Sequence, residues 1–408
     1  MASINIRNEL FGQSESSNKE CLSYVINKTR PITSGIVSNS LSGDIIFDFT
    51  TGASEWLDLF NTHLVYKFET NTLVDFLEMD NYGQCLFDRG QLFFNGVMVS
   101  SSNNWTQDSI LNKRLQFGAD YNKTLNGFGY INDAADQAAA TANTYPAGSY
   151  TVTEFLDALF MRSPDVIIPP NTNIRLILTT AATNGINKSG RGDGVNSAMV
   201  IVAKELYLNT FLVVKSDPVP DNVKLSLITT DSFKSSITSA SLDVQHMSKP
   251  NLVRLSAFFI DVKAFGTDLT SADKLFSQCN FRWDTDNSYA TTTDKLNTLY
   301  FKAGQHQLPN EAFDATTYGL LEMYNQYNVL SNKTLDPSGN ETPTEWAQMG
   351  PILTVKVVKP IGDTSKNIEV HGTFAATPTA YAYLVAHNEQ IVEFIYQNGV
   401  PLQTNKSF

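Results

Sequence analysis

The sequence predicts an all-β, antiparallel protein built as two consecutive sandwiches. Three observations predict it. Apolar and polar residues alternate with period two along many short runs. No stretch alternates strand with helix as a parallel sheet requires. The segment KSDPVPDNVK (215–224), with two prolines and two aspartates, interrupts any strand and divides the 408 residues into halves of about 200 residues each. The two halves repeat a pattern and not a set of residues.

The elements follow in order. GDIIFDFTTGASEWLDLFNTHLVYKFET (43–70) contains two alternating runs. Ile45, Phe47 and Phe49 share one face of the first, opposite Asp44, Ile46 and Asp48; Leu64, Tyr66 and Phe68 share one face of the second, opposite Val65, Lys67 and Glu69. Trp56, Leu57 and Phe60 read as a compact corner between them. Ile174, Leu176 and Leu178 form a later strand, as do Val253, Leu255, Ala257 and Phe259. Leu353, Val355 and Val357 alternate with Thr354 and Lys356, and Tyr381, Tyr383 and Val385 alternate near the end. Such strands place one apolar face on a core. Helices are few. TVTEFLDALF (151–160) groups Phe155, Leu156, Leu159 and Phe160 with Thr153 as N-cap, and YGLLEMYNQYN (318–328) groups Leu320, Leu321, Tyr324 and Tyr327. The Ala-rich 132–142 reads as a short exposed helix or an ordered loop. The polar stretches 100–150 and 179–197 read as long loops projecting from one end of a sandwich.

Composition excludes several functions. Lys and Arg number 29 against 41 Asp and Glu, a net charge of −12, and no basic arm is present. A chain that coats nucleic acid needs the opposite balance. Charged residues make up only 17% of the chain, and the abundance of Asn, Ser and Thr suits a surface in contact with copies of itself. Cys21, Cys85 and Cys279 are odd in number and widely spaced, so neither a disulfide framework nor a zinc site is expected. Free thiols and the lack of a secretory leader in the sequence point to synthesis in a reducing compartment. The seven Asn-x-Ser/Thr sequons, Asn104 and Asn122 among them, are then chance products of composition.

No catalytic, cofactor-binding or metal-binding residues are expected. Phosphate-loop, nucleophile-elbow and His-Glu-x-x-His motifs are absent from the sequence, and His63, His246, His306, His371 and His387 lack ligand spacing. Asp44 and Asp48 read as a solvated strand face rather than an acid–base pair. Glu154 and Asp157 read as carboxylates at a helix N-terminus facing water. Trp105, in a polar segment, reads as a core cap or a subunit contact in preference to a sugar platform. Arg191, Gly192 and Asp193, inside SGRGDGVNS, are the sharpest short motif and would suit receptor binding from a loop tip. An ordinary turn has the same flanks, and a given triplet arises by chance in about one chain in twenty of this length.

One resemblance rests on ordered segments. GQCLFDRGQLFFNGVMV (83–99) follows the opening strands, with Leu86, Phe87, Leu92, Phe94 and an Asn95–Gly96 turn. IIPPNTNIRLILTT (167–180), MVIVAKELYLNTFLVVKS (199–216), the strand-rich 251–283, the Tyr-rich 298–327 and the final 352–394 follow in order. Together they resemble the double jelly-roll major capsid proteins of DNA viruses, of Polinton, adintovirus and adenovirus-hexon type. The resemblance implies two eight-stranded antiparallel jelly rolls, 1–216 and 217–408, with a few short helices in loops. It implies a structural protein and not an enzyme: homotrimers forming pseudo-hexagonal capsomers that tile an icosahedral shell. The implied partners are copies of itself, neighbouring capsomers, minor capsid or penton proteins and a host receptor, with no cofactor and no direct contact with nucleic acid. The implied location is the virion, after synthesis in the host cytoplasm, with the nucleus a candidate assembly site. The alternatives are a carbohydrate-binding β-sandwich, including a glycosidase, and a viral spike or receptor-binding protein.

Overall fold

The structure is a computed structural model. It describes residues 21–33, 36–37, 40–41, 43–70, 76–77, 86–117, 144–145, 148–163, 166–181, 201–215, 218–265, 281, 283, 296–315, 321–331, 343–348, 350–358, 361 and 364–407. The Ala-rich 132–142, Cys85, Cys279, Asn122 and the triplet Arg191, Gly192, Asp193 lie outside the described residues.

Four main sheets carry the fold. The first runs β1 (Cys21–Thr29), β13 (Ile201–Lys215), β5 (Glu55–Thr70), β10 (Gly148–Phe155), and β11 (Ile167–Ile168) also pairs with β5. The second runs β4 (Asp44–Thr50), β12 (Asn173–Thr180), β7 (Phe87–Phe94), β8 (Val97–Ser102). The third runs β14 (Asn222–Ser236), β21 (Ala380–Gln397), β16 (Leu252–Asp261), β19 (Leu353–Lys356), with β22 (Val400–Ser407) also on β21. The fourth runs β15 (Ser241–Met247), β20 (Asn367–Phe374), β17 (Leu296–Ala303), β18 (His306–Asp314). Two short pairs accompany them: β2 (Ile36–Val37) with β3 (Ser40–Leu41), and β6 (Phe76–Leu77) with β9 (Thr144–Tyr145).

The third and fourth sheets repeat the order of the first and second. β14, β21, β16 and β19 correspond to β1, β13, β5 and β10; β15, β20, β17 and β18 correspond to β4, β12, β7 and β8. In both halves the chain keeps crossing between facing sheets, which is jelly-roll winding. The crossing explains the opening corner. β4 and β5 belong to different sheets, and the chain turns between them at 51–54, where the Gly52 amide donates to Glu55 Oε2 at 2.7 Å. The corner therefore precedes Trp56, Leu57 and Phe60, which lie inside β5, contrary to the sequence reading. The Asn95–Gly96 turn is as expected. Both residues have positive φ, 48° and 81°, which a tight hairpin between right-twisted strands requires. Asn398 and Gly399, at 51° and 75°, build the same turn between β21 and β22.

Alternation predicted the buried faces of β4 and β12 in the second sheet. Ile45 and Phe47, and Ile174, Leu176 and Leu178, are buried, and Asp44 is exposed. It failed at the centre of the third sheet. Ala380, Ala382, Tyr383, Leu384, Val385 and Ala386 are all buried, as are Phe258, Phe259 and Ile260. A sheet covered on both faces reads as a continuous apolar run.

The second cover is a helix that the sequence reading missed. α1 (Trp105–Gln116) occupies part of the stretch expected to project as a loop, and all twelve of its residues are buried. Its Ile110, Leu111 and Leu115 join the core of the second pair of sheets, while Trp105 joins the core of the first. The predicted helix over 151–160 does not form. Residues 148–155 are strand β10, paired with β5 from Gly148 opposite Thr70 to Phe155 opposite His63. The β-branched run Thr151, Val152, Thr153 suits a strand, and ladder pairing overrides the helical spacing. Phe155, Leu156, Leu159 and Phe160 are buried as expected, Phe155 from the end of β10 and the others from the turns that follow it. The Tyr-rich helix does form, as α2 (Leu321–Leu330), and buries Met323, Tyr324 and Tyr327; Leu321 is exposed, against expectation. A short α3 (Pro343–Gln348) follows.

Candidate functional site

The two pairs of sheets share a buried waist. β14 and β21 are long, 15 and 18 residues, and their far ends reach the first core through Val223, Leu225, Leu227, Val392, Phe394 and Tyr396. Phe394 packs on Phe94 with ring centroids 5.9 Å apart. Polar contacts lock the same junction: Gln390 Nε2 donates to the Val99 carbonyl at 2.8 Å, the Tyr396 hydroxyl to the Pro170 carbonyl at 2.9 Å, and Asn171 Nδ2 to the Gly399 carbonyl at 2.7 Å. Each bond joins residues more than 200 positions apart.

α1 supplies the rest of the waist. Asn112 Nδ2 donates to the Asp157 carbonyl and to Thr230 Oγ1, both at 2.7 Å, and its Oδ1 lies 2.9 Å from His387 Nε2. Because Asn112 Oδ1 accepts, His387 Nε2 carries the proton, and burial holds the ring neutral, well below the usual histidine range. Arg114 Nη1 donates to the Gly350 carbonyl at 2.7 Å, and the Tyr327 hydroxyl donates to the Arg114 carbonyl at 2.8 Å. Gln116 and Arg162 bond reciprocally, side chain to backbone, at 2.7 and 3.0 Å. A helix with so many polar side chains is buried because its polar atoms find partners in both halves.

Four charges meet at this waist, Lys113 on α1 and three outside it. Lys113 Nζ lies 3.1 and 3.2 Å from the oxygens of Glu154 and 3.9 Å from Asp157 Oδ2. Arg162 Nε lies 3.6 Å from Asp157 Oδ1 and donates to the Phe60 carbonyl at 3.1 Å, with its guanidinium 3.7 Å from the centre of the Phe155 ring. The expectation that Glu154 and Asp157 face water is overturned: the loss of the predicted helix places them in the waist, at 3% and 0% exposure. Two cations balance two carboxylates, as burial of charge demands. The only sequence signal for this cluster was charge inside segments that otherwise bury Phe and Leu.

Asp108, also on α1, is buried with no cation among the groups that set its ionisation. Ser102 Oγ donates to it at 2.6 Å. Burial pushes its carboxyl up to about 7, with Asp231 adding to the rise. The folded chain therefore binds a proton between about pH 4 and 7 that the unfolded chain releases, so this group favours folding as pH falls through that window. Buried His387 and His63 act in the opposite direction below their ordinary values. The Asp108 contribution is isolated by comparison with Asp108→Asn. Between pH 7 and 4 wild type gains stability relative to that variant by up to about 1.4 kcal/mol per pH unit, read from urea midpoints; parallel pH profiles would refute the assignment.

The other predicted positions stay apart. Asp48 is bound by Arg175 on the strand face and held below the carboxylate range, first by the Asn173 side chain and then by Arg175, and Asp44 accepts from Thr179 at 2.8 Å. The solvated-face reading of the pair holds. His246 stacks on Phe233 and His371 on Tyr300. Among the described residues no group of three or more His, Cys, Asp or Glu could hold a metal ion. No helix among them is long and apolar enough to cross a membrane. All four tryptophans are buried, at 6% exposure or less, which removes Trp stacking platforms for a sugar. Trp105 caps the first core, edge-on to Phe87. The Asn104 amide nitrogen donates to Ser232 Oγ at 2.9 Å, so this sequon is engaged within the fold.

The exposed apolar residues include two edge-strand pairs. Tyr24 and Ile26 are 43% and 57% exposed on β1, and Val400 and Leu402 are 59% and 61% exposed on β22. Tyr24 and Ile26, spaced two apart, share one face of β1, while on β22 the ladder shifts register at Leu402, between Pro401 and Gln403.

The arrangement defines a double jelly roll: one strand order used twice, fused through a common waist. The solved structures similar to it include a chain from the Sputnik virophage, at TM-score 0.64 and 11% identity over 96% of this chain and 89% of that one. A chain of the PBCV-1 virus capsid matches at TM-score 0.62 and 9% identity, over 98% and 99%. The mavirus major capsid protein matches at TM-score 0.51 and 10% identity, over 98% and 94%. No family model and no curated protein matches the sequence.

Proposed function

We propose that this chain is a major capsid protein whose copies form trimers and then an icosahedral shell. The observation that carries the reading is the repeated strand order on a rigid waist. Two equivalent rolls held at a fixed angle give a trimer six similar lobes, and a six-lobed block closes by a threefold axis and tiles a surface. The exposed pairs Tyr24/Ile26 and Val400/Leu402 support it. An apolar edge is a liability in an isolated chain and a contact in an assembly. The near end-to-end likeness to the mavirus major capsid protein and to a chain of the PBCV-1 capsid agrees with this role.

Within this proposal the rolls comprise 1–216 and 217–408, and the lineage is the Polinton or adintovirus type read from the sequence. The partners are neighbouring capsomers and minor capsid or penton proteins, and the location is the virion, with assembly in the host cytoplasm or nucleus. Arg191, Gly192 and Asp193 are offered as a receptor-binding loop. Light scattering on the purified chain tests the assembly. Three chains of 45.1 kDa give roughly 135 kDa. A stable monomer across the micromolar range would overturn it.

A further inference from the structure

We propose that Lys113 and Asp157 become joined by an intramolecular isopeptide bond, formed by the folded chain itself with Glu154 transferring the protons. The inference is independent of the capsid reading. It starts from an anomaly. Both side-chain oxygens of Asp157 are buried and have no hydrogen-bond partner. A buried carboxylate left in that state is costly, and the nearest charges do not bond it: Arg162 Nε stands 3.6 Å away and Lys113 Nζ 3.9 Å. Glu154, by contrast, is held on both oxygens, by Lys113 and by Ser109 Oγ at 2.9 Å.

This is an arrangement for acyl transfer. The amine is the nucleophile and the unbonded Asp157 carboxyl the electrophile, its Cγ not shielded by hydrogen bonds. Glu154 contacts the amine and can take its proton. Arg162 faces the oxygen on which negative charge develops. Lys113, Glu154, Asp157 and Arg162 side chains are all 4% exposed or less, so water that would solvate the charges or reverse the reaction is excluded. Burial pushes Glu154 up to about 7 and raises Asp157 as well, so near neutrality Glu154 can both accept and return a proton.

The step balances. Lys113 Nζ, as the ammonium, gives one proton to Glu154, and its lone pair attacks Asp157 Cγ as the N–C bond forms. The tetrahedral carbon then expels one oxygen. That oxygen takes the proton held by Glu154 and the second proton leaving the nitrogen, and departs as water. An ammonium and a carboxylate become one amide and one water, with no oxidant, reductant or net proton. The bond would tie α1 to the segment following β10 and remove one charge pair from the waist.

Mass spectrometry of the folded full-length chain tests this. The expected intact mass is one water below that of the linear sequence, and a tryptic digest contains a branched peptide joining Lys113 to Asp157. Glu154→Gln, near-isosteric, should give the full linear mass with an unchanged circular dichroism spectrum. Linear Lys113 and Asp157 peptides from folded wild type would overturn the proposal. So would a branch from Lys113 to Glu154, or a bond that forms fully in Glu154→Gln. If that variant does not fold, the wild-type digest alone decides.

Discussion

Trp105→Ala is expected to lower the unfolding free energy by about 3–5 kcal/mol, the range for deleting a fully buried large aromatic side chain. The indole is 0% exposed at the start of α1 and fills the first core beside Phe87. It also dictates a residue on β7. A Cβ placed on Gly90 would stand 2.2 Å from Trp105 Cζ3, inside the ring's own volume. Gly90→Ala alone therefore forces apart β7 and the helix, at a cost of about 1–3 kcal/mol. In the Trp105→Ala background the same methyl enters the vacated space. The double variant should then be no less stable than Trp105→Ala alone, a coupling measured by a cycle of urea unfolding curves. Additive losses would show that the two residues do not share the space assigned to them.

Gly350→Ala is expected to cost more than about 4 kcal/mol and to move the chain into the insoluble fraction. Gly350 has a φ of +85°, and its added Cβ would lie 1.7 Å from the backbone oxygen of Phe281. Backbone on backbone cannot be relieved by a rotamer change. The same residue offers its carbonyl to Arg114, so displacing it also breaks a buried hydrogen bond of the waist. Gly96→Ala is the control. Its φ is +81°, yet nothing lies within 4 Å of the added atom, so only the strain of the left-handed conformation remains, about 1 kcal/mol. Equal effects at the two sites would mean that conformation, and not the Phe281 contact, sets the cost.

Much of the fold was legible because it is written in local pattern. Ile45 and Phe47, and Ile174, Leu176 and Leu178, reveal strands through alternation, and Asn95–Gly96 reveals its hairpin through the positive φ that both residues tolerate. The pattern failed where tertiary context takes over. WTQDSILNKRLQ has no wide apolar face, because its polar atoms are satisfied by Thr230, His387, Asp157 and Gly350, partners up to 275 positions away. TVTEFLDALF carries a helical stripe, but β5 offers it a ladder, and that choice moves Glu154 and Asp157 from water into the interior. Periodicity reports which side chains are buried more faithfully than which element buries them. The charged waist was beyond it, because pairing of Lys113 and Arg162 with carboxylates some 40 positions away or closer depends on the fold and leaves no spacing to read.

The proposed capsid role requires two equivalent rolls on one buried waist to make a threefold building block. Electron-microscopy class averages of the purified chain test it most directly. Blocks with threefold symmetry and six lobes of similar size, two from each chain, are the expected result. Two-lobed particles of single chains, at concentrations well above those of assembly, would contradict it.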